Sequence, residues 1–270
     1  MVQLDPYVCD LNCHLDNGYQ SAETLSEGGF SYMWGGVKGT HGIKNTKVYF
    51  EVTIDKQLDI KNSNILREEN APYAARIGFS VREASTKLGE ERDSYCFCSN
   101  GMKKEDGKST QYGNSFSVND RIGAYADLSN PAIAEFHFTL NGHSMGSAFK
   151  VRKTREQEFY PHIYIKNTRI TIFFGEHNKQ PPAYSVLPGY TLINHVSQDN
   201  IIRGILPPTK PELLMTIGLP ACGKTTFANN YSFENPEKRY NILGTDTLVS
   251  AMKSFVDFFW SILNHFRDIF

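Results

Sequence analysis

The sequence predicts a mostly β protein, in which an antiparallel β-sandwich is followed by a short, truncated α/β fragment and a C-terminal apolar helix. Three observations lead to this fold class. Before residue 200, many short β-branched and aromatic runs show period-two alternation, Gly, Asn and Asp turns separate them, and no long helical pattern interrupts them. This combination is typical of sandwiches and barrels.

The strand pattern is clearest in runs that alternate apolar and polar residues. They are residues 47–54, 76–81, 95–98, 121–126, 134–140, 160–165 and 169–174. Asn141-Gly142 follows an alternating run directly, and this is the strongest hairpin signal in the chain. Turns are also predicted at Asn100-Gly101, Asp106-Gly107 and Asn119-Asp120.

The order of these segments divides the chain into four parts. Residues 1–200 form the β domain, 201–212 a proline-containing linker, 213–253 the α/β fragment and 254–270 the tail. Large apolar residues recur in the tail at three-and-four spacing, which predicts an amphipathic helix. Such a helix would dock on the unfinished sheet, bind a partner or lie on a membrane surface. The last alternative is disfavoured because the polar face is not basic.

Composition excludes several broad classes. An apolar content of 40% suits a packed core, and a net charge of −1 gives no basic excess for nucleic acid or anionic membranes. No run approaches the roughly 18 apolar residues of a membrane span, so we expect no membrane span. The basic residues of 150–155 are interpreted as a solvated loop. The odd count of five cysteines, without disulfide-framework spacing, indicates a reducing compartment.

The β domain shows no convincing catalytic constellation. Its histidines have no metal-ligand spacing. Cys9-x-x-x-Cys13 and Cys96-x-Cys98 could meet at one zinc ion, but the alternation of 95–98 favours a strand with two small side chains on one face. The charged turn at residues 90–92 is interpreted as solvated, and Trp34 as a core residue.

A phosphate-binding motif organises the α/β fragment. Residues 218–225 fit G-x-x-x-x-G-K-[ST], residues 213–217 before them predict a buried strand, and residues 225–230 predict the start of a helix. Backbone N–H groups of such a loop surround phosphate oxygens at a helix N-terminus. Lys224 would reach the β/γ-phosphates, and the Thr225 hydroxyl would hold Mg²⁺. The candidate nucleotide-binding residues are Gly218, Leu219, Pro220, Ala221, Cys222, Gly223, Lys224, Thr225 and Thr226.

The alternative interpretation of this motif is a glycine-rich turn with a surface lysine. Residues 240–243 predict a second strand. Asp246 follows that run and is interpreted as the cap of a helix over 247–253 rather than as a catalytic carboxylate.

Several motifs together resemble a known family. The β-domain motifs are Phe30-Ser31-Tyr32-Met33-Trp34-Gly35-Gly36, Arg76-Ile77-Gly78-Phe79-Ser80, Leu88-Gly89-Glu90, Ser94-Tyr95, Tyr112-Gly113, Asn119-Asp120-Arg121-Ile122-Gly123, Leu140-Asn141-Gly142, Ala148-Phe149 and Tyr160-Pro161-His162. They are similar to those of SPRY domains. Asp10-Leu11-Asn12-Cys13 before them, and Gly218-Leu219-Pro220 with residues 240–245 after them, narrow the resemblance to heterogeneous nuclear ribonucleoprotein U and its U-like relatives.

This resemblance implies a SPRY-type β-sandwich followed by a P-loop module related to polynucleotide kinases. It implies protein partners bound through SPRY loops, for which Tyr32, Trp34, Arg92 and Tyr95 are the candidate residues. It also implies RNA or ribonucleoprotein complexes as partners and a nuclear location. Without the resemblance, the cysteine pattern is compatible with the cytosol as well.

The chain departs from the family at both ends. The family's DNA-binding N-terminal motif and Arg/Gly-rich tail are missing, and the sequence no longer follows the family pattern beyond Lys253. We therefore expect a C-terminally truncated P-loop module. Three functions are compared: a protein-interaction module with a partial ATP loop, a direct RNA-binding protein acting in RNA processing, and a P-loop ATPase or polynucleotide-kinase-like enzyme.

We expect the first of these functions. Phosphoryl transfer needs metal-holding groups beyond the loop, and no later strand supplies them, so we expect no enzyme activity. ATP with Mg²⁺ is expected to bind weakly if at all, and no cofactor is required. Direct RNA binding is less favoured because the net charge is near zero.

Overall fold

A computed structural model describes residues 1–60, 71–175, 186–204, 212–235, 238, 240–244 and 248. The chain divides into two compact units, Met1–Gly204 and Ile205–Phe270. The first unit contains two antiparallel sheets that share one apolar core, which confirms the predicted β-sandwich.

The strands of the first unit are short and follow one another through tight turns. They are β1 (Leu4–Cys9), β2 (Cys13–Leu15), β3 (Ser21–Thr24), β4 (Gly35–Gly39), β5 (His41–Ile43), β6 (Lys47–Gln57), β7 (Ala74–Ser80), β8 (Ser94–Cys98), β9 (Met102–Glu105), β10 (Lys108–Gln111), β11 (Arg121–Asp127), β12 (Ile133–Leu140), β13 (His143–Arg152), β14 (Tyr160–Lys166), β15 (Thr168–Phe173), β16 (Thr191–Leu192) and β17 (Ile201–Arg203). Three 3-10 turns, at Gly28–Tyr32, Ile193–His195 and Gln198–Asn200, complete the unit.

Two large sheets form the sandwich. The seven-stranded sheet has the order β1-β4-β14-β7-β8-β9-β10. The eight-stranded sheet has the order β13-β12-β11-β6-β15-β3-β2, with β16 parallel to β6. A two-stranded ladder, β17-β5, lies beside them. Some neighbouring strands are consecutive in sequence, whereas others come from distant parts of the chain, as the β14–β7 register of Tyr160 opposite Ser80 shows.

The core lies between the inner faces of the two sheets. Aromatic rings fill its centre, where Phe136 stacks on Phe79 and on Tyr95 with ring centroids 5.4 and 5.0 Å apart. Phe136 and Phe79 are fully buried. Burying such side chains contributes about 1.5–3 kcal/mol each, so this cluster is a main source of the unit's stability.

The seven runs predicted as strands are confirmed as β6, β7, β8, β11, β12, β14 and β15. The Asn141-Gly142 hairpin is also confirmed, and it joins β12 to β13 with positive φ angles of 51° and 81°. Such angles define the turn that matches strand twist, and only Asn, Asp and Gly adopt them readily. Asp106-Gly107 makes the corresponding turn between β9 and β10.

The β unit extends beyond the boundary predicted at residue 200. Ile201, Ile202 and Arg203 form β17 and pair with Ile43, Gly42 and His41 of β5. The predicted linker 201–212 therefore starts too early. Residues 201–203 belong to the β unit because their backbone pairs with β5. A paired segment of this length is too short to show a periodic pattern in the sequence.

The described part of the second unit contains helix α1 (Lys224–Glu234), which confirms the helix predicted from Thr225. The strands predicted at 213–217 and 240–243 are wrong, because neither segment is a strand. Leu213, Met215 and Ile217 are 89%, 73% and 88% exposed rather than buried. A parallel strand needs a hydrogen-bonded neighbour, and the described residues of this unit provide none beside 213–217.

None of the described helices is long and apolar enough to span a membrane. The predicted tail helix over 254–270, and the cap assigned to Asp246, lie outside the described residues.

Candidate binding site on the β unit

One long loop covers the outer face of the seven-stranded sheet. We call residues 81–93, between β7 and β8, the β7–β8 loop. Because of this cover, β14 is buried on both faces: Ile163 points into the sandwich core, while His162 and Tyr164 lie under the loop or beside it. A strand buried on both faces loses the simple alternation of a half-exposed strand.

Buried polar side chains fasten this loop to the sheet. Lys38 of β4 is 2% exposed, and its Nζ donates hydrogen bonds to the carbonyl oxygens of Val81 (3.0 Å), Arg82 (3.3 Å) and Ala84. A buried ammonium without such acceptors would be strongly destabilising. Lys38 therefore fixes the first turn of the β7–β8 loop.

A second set of contacts fastens the middle of the loop at Thr86. The Thr86 hydroxyl donates to Asp10 Oδ1 (2.6 Å), and Asp10 Oδ2 accepts from the Gly36 backbone N–H (2.8 Å). Burial raises the pKa of Asp10, while these hydrogen bonds oppose the increase. A Cβ atom at Gly36 would lie 2.0 Å from the Thr86 carbonyl oxygen, so only glycine permits this close approach.

His162 completes the fastening from β14. Its Nε2 lies 3.1 Å from the Thr86 carbonyl oxygen, and its Nδ1 lies 2.8 Å from Ser80 Oγ. A carbonyl only accepts, so Nε2 carries the proton and Nδ1 accepts from the hydroxyl. Burial lowers the pKa of His162 well below its usual value, and nearby Lys38 lowers it further. The imidazole is thus held neutral.

This arrangement predicts a loss of stability in mild acid. The unfolded state binds a proton at the imidazole near pH 6.5, whereas the folded state does not. Unfolding free energy should therefore fall as pH decreases below about 6.5, by up to about 1.4 kcal/mol per pH unit. Denaturant titrations between pH 5 and 8 measure this slope. A His162→Gln variant should show a shallower slope, and His143→Gln, which changes an exposed histidine, should match the wild type.

An aromatic and ionic cluster lies beside the loop. We define the Trp34 cluster as Trp34, Arg76, Glu90, Lys104 and Tyr164. The rings of Trp34 and Tyr164 stack with centroids 4.8 Å apart, and the Arg76 guanidinium lies 4.5 Å from the Trp34 ring centroid. Trp34 is half-buried here rather than part of the main core. Cation–π contact and stacking together hold the indole in a fixed orientation.

Glu90 connects this cluster to the β7–β8 loop. Its Oε1 accepts from Arg76 Nη1 (2.6 Å) and Lys104 Nζ (2.7 Å), and the three side chains are only 10–13% exposed. Burial raises the pKa of Glu90, but the hydrogen bonds from Lys104 and Arg76 outweigh this and lower it. The interpretation of residues 90–92 as a solvated turn is therefore wrong for Glu90.

The cysteines form two separate pairs. Cys13 belongs to the main core with Cys9 packed beside it, whereas Cys96 and Cys98 belong to a different cluster with Leu88 and Tyr164. Among the described residues, no group of three or more His, Cys, Asp or Glu side chains is placed to hold a metal ion. The disfavoured alternative, one zinc ion shared by all four cysteines, is wrong, while the strand placing Cys96 and Cys98 on one face is confirmed.

Large apolar side chains are exposed on two adjacent loops of the β unit. Leu11 is 61% exposed and Phe30 is 41% exposed. Asn12 links the loops, because its backbone oxygen accepts from Leu25 N (2.9 Å) and its Nδ2 donates to Trp34 O (3.2 Å). We call Leu11, Phe30 and Trp34 the apolar loop surface. A fixed, solvent-facing apolar surface of this kind marks a candidate contact site.

The four residues predicted for partner contact are not at one place. Trp34 directly precedes β4, whose first residue is connected through Ile165 of β14 to Ala75, near the start of β7. Arg92 lies two residues before Ser94, which pairs with Ser80 at the end of β7. Tyr32 and Trp34 therefore lie at one end of the sheet and Arg92 at the other.

Tyr95 is a core residue rather than a contact residue. It is 5% exposed, stacks on Phe136, and donates from its hydroxyl to Asp93 Oδ1 (3.2 Å). Tyr32 is half-buried and Arg92 is exposed. The sequence did not identify four residues as part of the site: Leu11, Lys38, Arg76 and His162. The polar residues on one face of β14 were a weak signal that the outer face of this strand is covered.

The solvated loop predicted for the basic cluster is confirmed only in part, for Arg155, which is exposed in a turn after β13. Lys150 and Arg152 are exposed on the edge strand β13, and Lys153 is buried at 7% exposure. Because one of its cations is buried, the cluster offers less positive surface than its sequence indicates.

In the second unit, the lysine of the glycine-rich motif forms hydrogen bonds with the loop itself. Lys224 Nζ donates to the carbonyl oxygens of Gly218 (2.9 Å) and Leu219 (2.7 Å). Ala221 and Gly223 have positive φ angles of 59° and 88°, and α1 begins directly after Gly223. The motif thus forms a turn at a helix N-terminus, with Thr225 and Thr226 in the first turn of α1. Binding of nucleotide or Mg²⁺ there stays a prediction.

Comparison with known proteins agrees with the fold and the motifs. The family model described as "SPRY domain" matches residues 47–177, so the β unit carries a SPRY domain. The predicted resemblance to heterogeneous nuclear ribonucleoprotein U-like proteins is also confirmed. The chain is 31% identical over 258 residues to heterogeneous nuclear ribonucleoprotein U-like protein 2 of Mus musculus, an alignment that covers 94% of this chain and 34% of that protein.

Other similarities are more limited. ATP-dependent RNA helicase DDX1 of Xenopus laevis is 29% identical over 172 residues, which cover 63% of this chain and 20% of the helicase. The crystal structure of a human SPRY domain aligns with a TM-score of 0.49 and 16% identity, over 63% of this chain and 98% of that chain. The chain spans about a third of the length of the U-like relative, at 34%.

Proposed function

We propose that this chain is a protein-interaction module of an RNA-associated, nuclear ribonucleoprotein-like protein, and that its contact site is the apolar loop surface. The observation that carries the proposal is the exposure of Leu11 and Phe30 on loops that Asn12 joins through two hydrogen bonds. Exposed apolar groups that are already ordered lose little conformational freedom on binding, which favours affinity.

The chemistry of the surface indicates the type of partner. Leu11, Phe30 and the half-buried Trp34 offer apolar and aromatic contact, and large aromatic side chains dominate the binding energy of protein interfaces. We propose a protein segment that presents one or two apolar side chains. Arg92, exposed at the other end of the sheet, would lie outside this contact.

The RNA association is proposed from the relatives' names, a U-like ribonucleoprotein and an RNA helicase. It does not require direct RNA contact by this chain. This chain has a net charge of −1, so it offers no excess of positive charge for binding RNA phosphates. We therefore propose that a protein partner connects the chain to RNA. The nuclear location is proposed on the same ground.

Quantitative affinity capture from nuclear extract tests the contact site. The double variant Leu11→Ser/Phe30→Ser should lose about tenfold or more of the proteins that the wild-type chain enriches, since contact residues contribute about 1–2 kcal/mol or more each. Lys108→Ala/Lys150→Ala changes exposed residues on other strands and serves as the matched control. Equal capture by wild type and double variant, with both folded, would place the partner surface elsewhere.

A second candidate function is nucleotide binding by the glycine-rich loop, and the turn around Lys224 favours it. We propose that Mg-ATP binds weakly and is not hydrolysed at a useful rate. To hold phosphate, Lys224 must first release the carbonyl oxygens of Gly218 and Leu219. No described strand supports the loop from its N-terminal side, where a P-loop normally has one.

Calorimetric titration with Mg-ATP measures this prediction. The wild-type chain is expected to bind more weakly than the low-micromolar range, and Lys224→Ala should abolish the remaining signal. Lys238→Ala changes a lysine that pairs with Glu212 instead, so it should leave any signal unchanged. Low-micromolar binding lost in Lys224→Ala, together with steady phosphate release, would show a working nucleotide site and contradict the proposal.

A further inference from the structure

Two thiols lie close together in the cluster against which Trp34 of the apolar loop surface packs. Cys96 and Cys98 alternate along β8 on the face turned away from the main core, and their Sγ atoms are 3.9 Å apart. Cys96 is fully buried and Cys98 is 8% exposed. Both sulfurs are free. The pair is thus preorganised, and Cys98 is the more exposed of the two residues.

The distance between the sulfurs suits one bridging metal ion. Thiolate–metal bonds are about 2.3 Å long for zinc, and two such bonds meeting at about 110–120° place their sulfurs about 3.8–4.0 Å apart. The observed 3.9 Å therefore needs no movement of β8. A disulfide would require the sulfurs to approach to about 2.05 Å, which the extended strand opposes.

A third sulfur lies at the same place. Met102 of β9 packs against the cluster that contains Cys96 and Cys98. Cys96 pairs with Lys104 and Phe97 pairs with Lys103, so continuing this antiparallel register brings Met102 beside Cys98. Cross-strand neighbours point to the same face of a sheet. The face therefore presents two thiols and one thioether.

We propose that Cys96, Cys98 and Met102 form a three-sulfur site for one Cu(I) ion. Binding forms two Cu–thiolate bonds and one Cu–thioether bond and releases the protons that the thiols carry; no electron is transferred. Thiolate and thioether ligands select Cu(I), whereas closed zinc sites take four ligands. The described residues offer no group of three or more His, Cys, Asp or Glu for zinc.

Anaerobic competition with a coloured Cu(I) chelator tests the site on the full chain. The Cys222→Ser chain serves as the reference because its exposed thiol is removed. This chain should take up one Cu(I) with an absorption band from thiolate-to-metal charge transfer. Adding Cys98→Ser should weaken binding on the order of 100-fold, because even changes outside the ligands typically cost 10–100-fold. Adding Cys9→Ser, a change in the other thiol pair, should have no effect.

Met102→Leu keeps the volume and the fold, so it remains informative if Cys98→Ser destabilises the unit. It should weaken Cu(I) binding about tenfold while circular dichroism stays unchanged. Unchanged affinity in Met102→Leu would overturn the three-sulfur site. Equal affinity in the Cys98→Ser chain, or the absence of Cu(I) uptake by the reference chain, would overturn any site at this pair.

Discussion

Replacing Glu90 with alanine is expected to lower the unfolding free energy of the β unit by about 3–5 kcal/mol. Glu90 Oε1 accepts from both Arg76 and Lys104, and all three side chains are largely buried. Removal of the carboxylate leaves two buried cations without this partner, which costs more than the salt bridge itself contributes. The β7–β8 loop would also lose its ionic link to β7 and β9.

Denaturant unfolding of matched variants measures this effect. Glu83→Ala removes an exposed carboxylate from the same loop and should change stability by no more than about 0.5 kcal/mol. Glu90→Gln keeps hydrogen-bonding capacity without the charge, so its cost should be intermediate. A Glu90→Ala variant as stable as Glu83→Ala would show that the ionic cluster does not fasten the loop.

Gly36→Ala is expected to destabilise the unit by about 3 kcal/mol, the upper range for overpacking. The added Cβ would lie 2.0 Å from the Thr86 carbonyl oxygen and 2.9 Å from its carbonyl carbon, and a backbone group cannot rotate away. The loop must move, and the contacts that Thr86 makes with Asp10 and His162 must lengthen.

Thermal melting measures this effect, and a substitution at Gly18, which has more space around it, serves as the control. A Cβ at Gly18 would meet only Asp16 Oδ2 at 3.4 Å, an ordinary contact distance, so Gly18→Ala should melt close to the wild type. A decrease of melting temperature in Gly36→Ala no larger than in Gly18→Ala would contradict the close packing of the β7–β8 loop on β4.

The strands that the sequence predicted are those with one face in the core. Alternation of apolar and polar residues marks such strands, and β6, β11 and β12 show it clearly. Strand β10 was missed because all four of its residues are exposed. β13 was missed because most of its first half is polar and exposed at a sheet edge. Where neither face is consistently buried, the two-residue period disappears.

The candidate site was predictable only in part. The stretch that contains Phe30 and Trp34 was singled out by its resemblance to SPRY motifs, but only Trp34 was named as a contact candidate and Phe30 was not. The fastening of the β7–β8 loop was not predictable, because Thr86 meets Asp10 and His162, each 76 residues away in sequence. Such long-range contacts leave no periodic signal. The interpretation of Glu90 as a solvated residue was wrong for the same reason, because its cationic partners Arg76 and Lys104 lie on β7 and β9.

In the second unit, by contrast, the sequence predicted a strand that the structure does not contain at residues 213–217. The apolar run 213–217 and the glycine-rich motif fit a strand followed by a P-loop, yet the run is exposed and is not a strand, whereas α1 is formed as predicted. An apolar run favours burial but does not identify a hydrogen-bonded partner, and a strand forms only where another strand lies beside it.

Site-specific photo-crosslinking tests most directly the claim that partners bind the apolar loop surface. Benzoylphenylalanine replaces Phe30 in one chain and exposed Ser129, in the turn after β11, in another. After irradiation in nuclear extract, the proposal predicts a discrete crosslinked protein at position 30, absent at position 129 and suppressed by excess unlabelled wild-type chain. No crosslink at position 30, or the same crosslinked proteins at both positions, would contradict it.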